Sequence, residues 1–323
     1  MSRIGKTVVK TGLADARCVS MSGTSAVLCG KGGSSAHARS VASAWLALVR
    51  LPVSFMVAVA SGFGYLLVHP GVGANFGLTV AGTFLLAGAC SALNQVQERR
   101  TDALFRRTAN RPLPSGNMHV STALCVTVGL VCGAMRLFAL LGNPLLLWLA
   151  GGVIGVYNGI YTPLKRQTGF ALPIGALPGA MPPVLGWVAA GGQMTDVGCV
   201  TLFVVYYLWQ IPHFWLRVER DRDEYARAGL PIPVICFSER RYARLLGIWF
   251  SAYVAALLTL PLFPLLHTPT LRVIAVVGAM ALMCGPGYML YRGKRSGPVE
   301  RWVNLSLPIA MLLLLADAMW QTV

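Results

Sequence analysis

The chain has 323 residues, of which 55% are hydrophobic and only 12% charged, and its mean hydropathy is +0.63. That balance excludes a water-soluble domain with a polar surface and reads as a multispanning membrane protein. The formal net charge of +16 raises nucleic acid as a partner, but the placement of the basic residues along the chain argues against it.

Residues 1–43 are basic, rich in small residues and weakly hydrophobic, and read as a disordered cytoplasmic tail. No compact apolar stretch precedes a cleavage-like site, which disfavours a secretory signal. The Arg- and Ser-rich, acid-poor composition also suits an organellar transit peptide. Residues 44–323 then carry nine apolar windows, near 44–68, 75–95, 119–141, 143–162, 171–191, 196–215, 242–264, 271–291 and 302–321. Helices of about 20 residues are long enough to cross a hydrocarbon core of about 30 Å. Basic residues gather after the even-numbered spans: Arg99 to Arg111, Lys165 and Arg166, Arg217 to Arg244, and Arg292 to Arg301. The intervening loops "HPGVGA", "LGN", "GGQMTD" and "FPLLHTPT" hold no Lys or Arg. By the positive-inside rule the N-terminus and the basic loops face the cytoplasm and the C-terminus faces out. The expected partner of this charge is the lipid bilayer, in a bacterial inner membrane or the mitochondrial equivalent, and not nucleic acid.

The densest charge lies in "NQVQERRTDALFRRTANRPLPSG", residues 94–116, after span two. Asn94, Glu98 and Asp102 recur every four residues, which places them along one slowly drifting helix face. An amide and two carboxylates offer hard oxygens of the kind that suits Mg²⁺, an ion held by one or two carboxylates together with substrate phosphates. Arg106, Arg107 and Arg111 with Lys165 could neutralise the phosphate charge, the guanidinium in a bidentate manner. Taken alone, the triplet is more simply a helix end bearing salt bridges. A second acidic cluster on the same membrane side, Glu219, Asp221, Asp223 and Glu224 in "PHFWLRVERDRDEYARAGLP", shifts the balance toward a diphosphate clamped between two metal-binding faces.

These stretches, together with "YTPLKRQTGFALPIGALPGAMPPVLGW" from Tyr161 and "WQIPHFWLRVERDRDEYARAGLPIPV" from Trp209, resemble the UbiA-type intramembrane prenyltransferases. The last stretch resembles the branch of that family that farnesylates haem, and the resemblance covers about residues 45–321. It implies an all-α bundle of nine transmembrane helices that joins farnesyl diphosphate to the 2-vinyl group of haem b. Water completes a hydroxyethylfarnesyl side chain and diphosphate leaves. It further implies Mg²⁺ held through the diphosphate by Glu98, Asp102 and Asp223, with Asn94 and Glu224 completing the catalytic set. Arg106, Arg107, Arg111, Lys165 and Arg166 match the family's diphosphate-side positions. Glu98 and Glu224 stand where the family more often has Asp. A haem A synthase or cytochrome oxidase assembly proteins are partners expected from the pathway alone. The alternatives are prenylation of a quinone precursor or chlorophyllide, and a membrane transporter; against the latter, the span centres hold almost no charge to form a path across.

Several residues have both plain and functional readings. His213 is either a hydrogen-bonded core residue or a haem contact, since imidazole is a common axial ligand. Trp209, Phe214 and Trp215 are either interfacial anchors or a wall for porphyrin and isoprenoid cation. Asn158, Tyr161 and Thr162 either pack helices or orient the diphosphate. Arg50 and Arg136 read as snorkelling side chains. Pro173, Pro178, Pro182 and Pro183 should kink or interrupt span five. The eight cysteines form no C-x-x-C pair and read as small buried hydrophobes.

Overall fold

The computed structural model describes residues 42–263, 265–293 and 297–321. The basic N-terminal tail, with Cys18 and Cys29, lies outside them. Among the described residues every regular element is helical. Eight helices are long and apolar enough to cross a membrane, and a ninth crossing is a pair, α1 (Ala42–Leu48) and α2 (Leu51–Leu66), bent by 49° at their junction. The protein is therefore an integral, multi-pass membrane protein.

The other crossings follow the hydropathy windows closely. They are α3 (Ala74–Asp102), α4 (Val120–Leu140), α5 (Pro144–Ile154) continuing through a π-helical segment (Gly155–Tyr161) into α6 (Thr162–Leu164), and α7 (Ala171–Ala189). Then come α8 (Val197–Arg220), the short α9 (Arg222–Arg227) and α10 (Pro233–Cys236), and α11 (Glu239–Thr259) with a 3₁₀ turn to Leu262. After them run α12 (Pro269–Leu282), a π segment (Met283–Gly287), α13 (Tyr288–Tyr291) and α14 (Pro298–Trp320). The largest departure is α3, which continues seven residues beyond its apolar window to Asp102 and so carries the first charged motif on a helix.

Span five is not interrupted by its prolines: α7 runs unbroken with Pro178, Pro182 and Pro183 inside it. Packing explains this, because α7 lies against α2 on one side and α8 on the other. Neighbouring helices make helix prolines tolerable in a membrane. The α2–α7 approach is backbone to backbone. A Cβ on Gly64 would overlap the Pro183 carbonyl, and one on Gly186 would overlap the Ser61 carbonyl. Small residues at a membrane helix interface permit this closeness, and dispersion across it supplies the association that water would drive elsewhere.

One apolar core joins α8, α11 and α14, with Trp215, Tyr242, Phe250 and Tyr253 all buried in it. A second joins α3, α4, α5 and α7 around Phe138 and Leu185. Large apolar side chains such as Phe55, Trp148, Val273 and Leu312 point outward, as a lipid-facing surface requires. The cysteines divide accordingly. Cys90 and Cys199 are buried, but Cys125, Cys132, Cys236 and Cys284 are exposed and unpaired, so the expectation of small buried hydrophobes holds for only part of the set.

Candidate active site at the charged mouth

The C-terminal end of α3 brings Asn94, Glu98 and Asp102 together on one buried face, each less than a tenth exposed. Each has a partner from a different segment. The Asn94 amide donates to Thr162 Oγ1 at 3.2 Å. Lys165 Nζ lies 2.5 Å from Glu98 Oε2. Arg111 Nη1 lies 2.7 Å from Asp102 Oδ2, across a loop that Thr108 ties down by donating to the Asp102 carbonyl at 2.7 Å. A carboxylate this buried needs a countercharge, and each has one on a single oxygen.

Span four delivers Lys165 through the π segment. The Asn158 amide donates to the Cys90 carbonyl at 3.1 Å, and Gln97 donates back to the Asn158 carbonyl at 2.9 Å. Arg166 donates to the Gln97 carbonyl at 2.5 Å. Wide turns of this kind occur mostly as isolated bulges, often at functional sites. Tyr161 ends the segment, with Lys165 Nζ 5.4 Å above its ring. Its ring fits against α7 only because residue 175 is glycine: a Cβ there would stand 2.5 Å from it.

The second acidic stretch reaches this mouth by an aromatic contact. Tyr225 stands edge-on to Phe105 with ring centroids 4.8 Å apart. Burial pushes the Tyr225 phenol up, and Arg107, Asp221, Glu98 and Arg217 also act on it electrostatically. Of the acids, Asp223 points outward with 86% of its side chain exposed, 3.5 Å from Arg222. Asp221 pairs with Arg220 at 3.6 Å, and Glu219 accepts from the Tyr242 hydroxyl at 3.3 Å. Glu224 is half-buried, while Arg106, Arg107 and Arg166 are exposed at the rim. Trp209 and His213 lie apart from this cluster, on the face of α8 that meets α14.

Two residues were given no site role from sequence. Tyr225 is one; the signal was an aromatic placed directly after two acids in a polar loop. Arg50 is the other, read above as snorkelling. It sits in the α1–α2 break with φ 49° and ψ 55°, unusual among the described non-glycine residues. The break itself is held by Gln95, next to Asn94, whose amide donates to the Ala47 and Leu48 carbonyls at 3.0 and 2.6 Å. Pro52, in the first turn of α2, was the sequence signal that a helix restarts there.

Residues 53–312 match the model of the UbiA prenyltransferase family. A protoheme IX farnesyltransferase of Oleidesulfovibrio alaskensis is 43% identical over 272 residues, 84% of this chain and 94% of that protein. One from Nitratidesulfovibrio vulgaris is 46% identical over 236 residues, 73% of this chain and 82% of that protein. Among solved structures, a UbiA homolog from Aeropyrum pernix is 20% identical with a TM-score of 0.66, covering 84% of this chain and 98% of that one. A UbiA homolog from Archaeoglobus fulgidus, bound to GPP and Mg²⁺, is 16% identical with a TM-score of 0.64, covering 85% of this chain and 98% of that one. The structural likenesses carry the fold, the sequence relatives carry the kinship, and together they place the chain in the UbiA prenyltransferase family.

Proposed function

We propose that the chain makes haem O: it transfers the farnesyl group of farnesyl diphosphate to the 2-vinyl group of haem b, with water adding to complete the hydroxyethylfarnesyl side chain and diphosphate released. The observation that carries this reading is near full-length similarity to farnesyltransferases of protoheme IX, joined to a mouth that gathers buried carboxylates and cations at the inner end of an apolar bundle.

The donor set fits Mg²⁺. Glu98 and Asp102 each engage a cation through one oxygen, leaving the second, and Asn94 adds an amide oxygen beside them. Among the described residues no three acid, His or Cys side chains form a closed metal cage. Mg²⁺ is usually held by one or two carboxylates together with substrate phosphates and water. When bound, Mg²⁺ supplies charge stabilisation to the departing diphosphate. Glu98 and Asp102 would hold it, with Asp223, exposed in this structure, completing the set.

Lys165, Arg111 and Arg107 face the charge that grows on the leaving group as the allylic C–O bond breaks. Fixed donors in a site of low dielectric stabilise such charge far better than water does. The apolar walls keep bulk water from the farnesyl cation until the vinyl π-electrons reach it. Tyr161, wedged against Gly175, sets the position of Lys165. His213 contacts the haem, and Trp209 offers a flat face to the porphyrin or the cation. The basic loops support a mouth that faces the cytoplasmic side of a cell inner membrane.

The test is incubation of purified protein with haem b, farnesyl diphosphate and Mg²⁺, reading the extracted haem by mass spectrometry, with Asp102→Ala alongside. A hydroxyethylfarnesyl haem that disappears in the variant is expected. Prenyl transfer to a quinone precursor or chlorophyllide instead would overturn the haem assignment while keeping the diphosphate site. Substrate movement with no diphosphate release would mark a transporter.

A further inference from the structure

The α8–α14 seam holds an imidazole in one orientation. His213 Nδ1 lies 2.5 Å from Asn304 Oδ1 on α14. An amide oxygen only accepts, so Nδ1 carries the proton and donates. The ring is stacked on Trp209 at 4.5 Å with 16° between planes, and Phe214 meets it edge-on at 4.9 Å. Trp209 is itself pinned, its indole N–H donating to the Val303 carbonyl at 2.7 Å. Two neighbouring residues of α14 thus fix both the plane and the tautomer of a ring carried by α8. Nε2, left with its lone pair, has no protein partner among the described residues and is not one of the buried unpaired atoms.

We infer that Asn304 is the positioning residue for the haem acceptor: by accepting a hydrogen bond from the Nδ1–H of His213 it commits Nε2 as the ligand offered to the iron of haem b. The inference rests on the reading of His213 as a haem contact. A ligating imidazole usually donates its other N–H to an oxygen that fixes ring and tautomer, and loss of that oxygen typically weakens metal binding by about 10–100-fold. Sequence alone gave no sign of it, because Asn304 lies 91 residues from His213 and only the approach of the last span brings them together.

The experiment titrates full-length protein in lipid nanodiscs with haem b, following the Soret band and the low-temperature EPR spectrum, for wild type, His213→Ala, Asn304→Leu and Asn304→Asp. Wild type and Asn304→Asp, which keeps an acceptor, should share a nitrogen-ligated spectrum. His213→Ala and Asn304→Leu should lose it and bind haem b about tenfold more weakly or worse. Farnesyl diphosphate binding should be unchanged in all four. Asn304→Ala repeats the comparison without added bulk should the leucine variant fail to fold. A wild-type spectrum in His213→Ala would remove the underlying reading of His213. A spectrum lost in His213→Ala but kept in both Asn304→Leu and Asn304→Ala would leave that reading standing and overturn the role of Asn304.

Discussion

Tyr225 stands between the two charged stretches, its ring on Phe105 and its hydroxyl within electrostatic reach of Glu98, Arg107 and Asp221. Burial raises its pKa, so the folded protein holds the phenolic proton more tightly than the unfolded chain does. The sign follows by linkage. The group leaves stability flat below the free tyrosine value of about 10, and stability is lost as pH rises above it. Through neutral pH the residue is a neutral donor suited to a phosphate oxygen. Tyr225→Phe should lower kcat/KM for farnesyl diphosphate about tenfold, the scale of one hydrogen bond to a charged partner, while leaving KM for haem b alone. Steady-state kinetics with each substrate varied separately checks this, and an unchanged kcat/KM would show that the hydroxyl is not used. The spacing of Asn94, Glu98 and Asp102 made the first motif legible, because a helix has a fixed period. The outward turn of Asp223 was not legible, since α9 starts a new helix after Asp221 and resets the face.

At the scale of helices, two glycines of α7 make separable demands. A Cβ at Gly186 would meet the backbone of α2, which cannot yield without parting the helices, whereas the nearest atoms to one at Gly175 belong to the Tyr161 ring. Gly186→Ala should therefore lower the thermal midpoint in detergent, with a destabilisation of about 1–3 kcal/mol for an overpacked interface. Gly175→Ala should melt close to wild type yet raise KM for farnesyl diphosphate by displacing Tyr161 and Lys165. Melting curves beside kinetics separate the two, and equal loss of stability in both would contradict the assignment. Hydropathy located every crossing because lipid demands about 20 apolar residues of each. It could not locate the bend at Arg50 or the π segment at Gly155–Tyr161. Both depend on which side chains of α3 reach across to take up freed backbone groups, Gln95 at the bend and Gln97 at the wide turn.

At the scale of the whole molecule, the loop charges support the proposal that the mouth faces the cytoplasm. Cys236 tests this, being exposed on α10 between the sixth and seventh crossings. With Cys18 and Cys29 replaced by Ser, a membrane-impermeant maleimide should label Cys236 in inverted vesicles and not in right-side-out ones. The reverse pattern would invert the proposed topology. The paired carboxylates of the mouth have a wider consequence. Glu98 already holds Lys165 and Asp102 already holds Arg111, so the resting mouth resembles a loaded ion exchanger. A diphosphate arriving alone would draw off the cations and strand two buried carboxylates; a divalent cation arriving alone would strand the lysine and the arginine. Only the two together swap every partner without leaving a bare charge. Each ligand should then tighten the other's hold by the same factor, as thermodynamic reciprocity demands. The enzyme would stay idle toward metal or prenyl donor alone, an interlock written in two ion pairs.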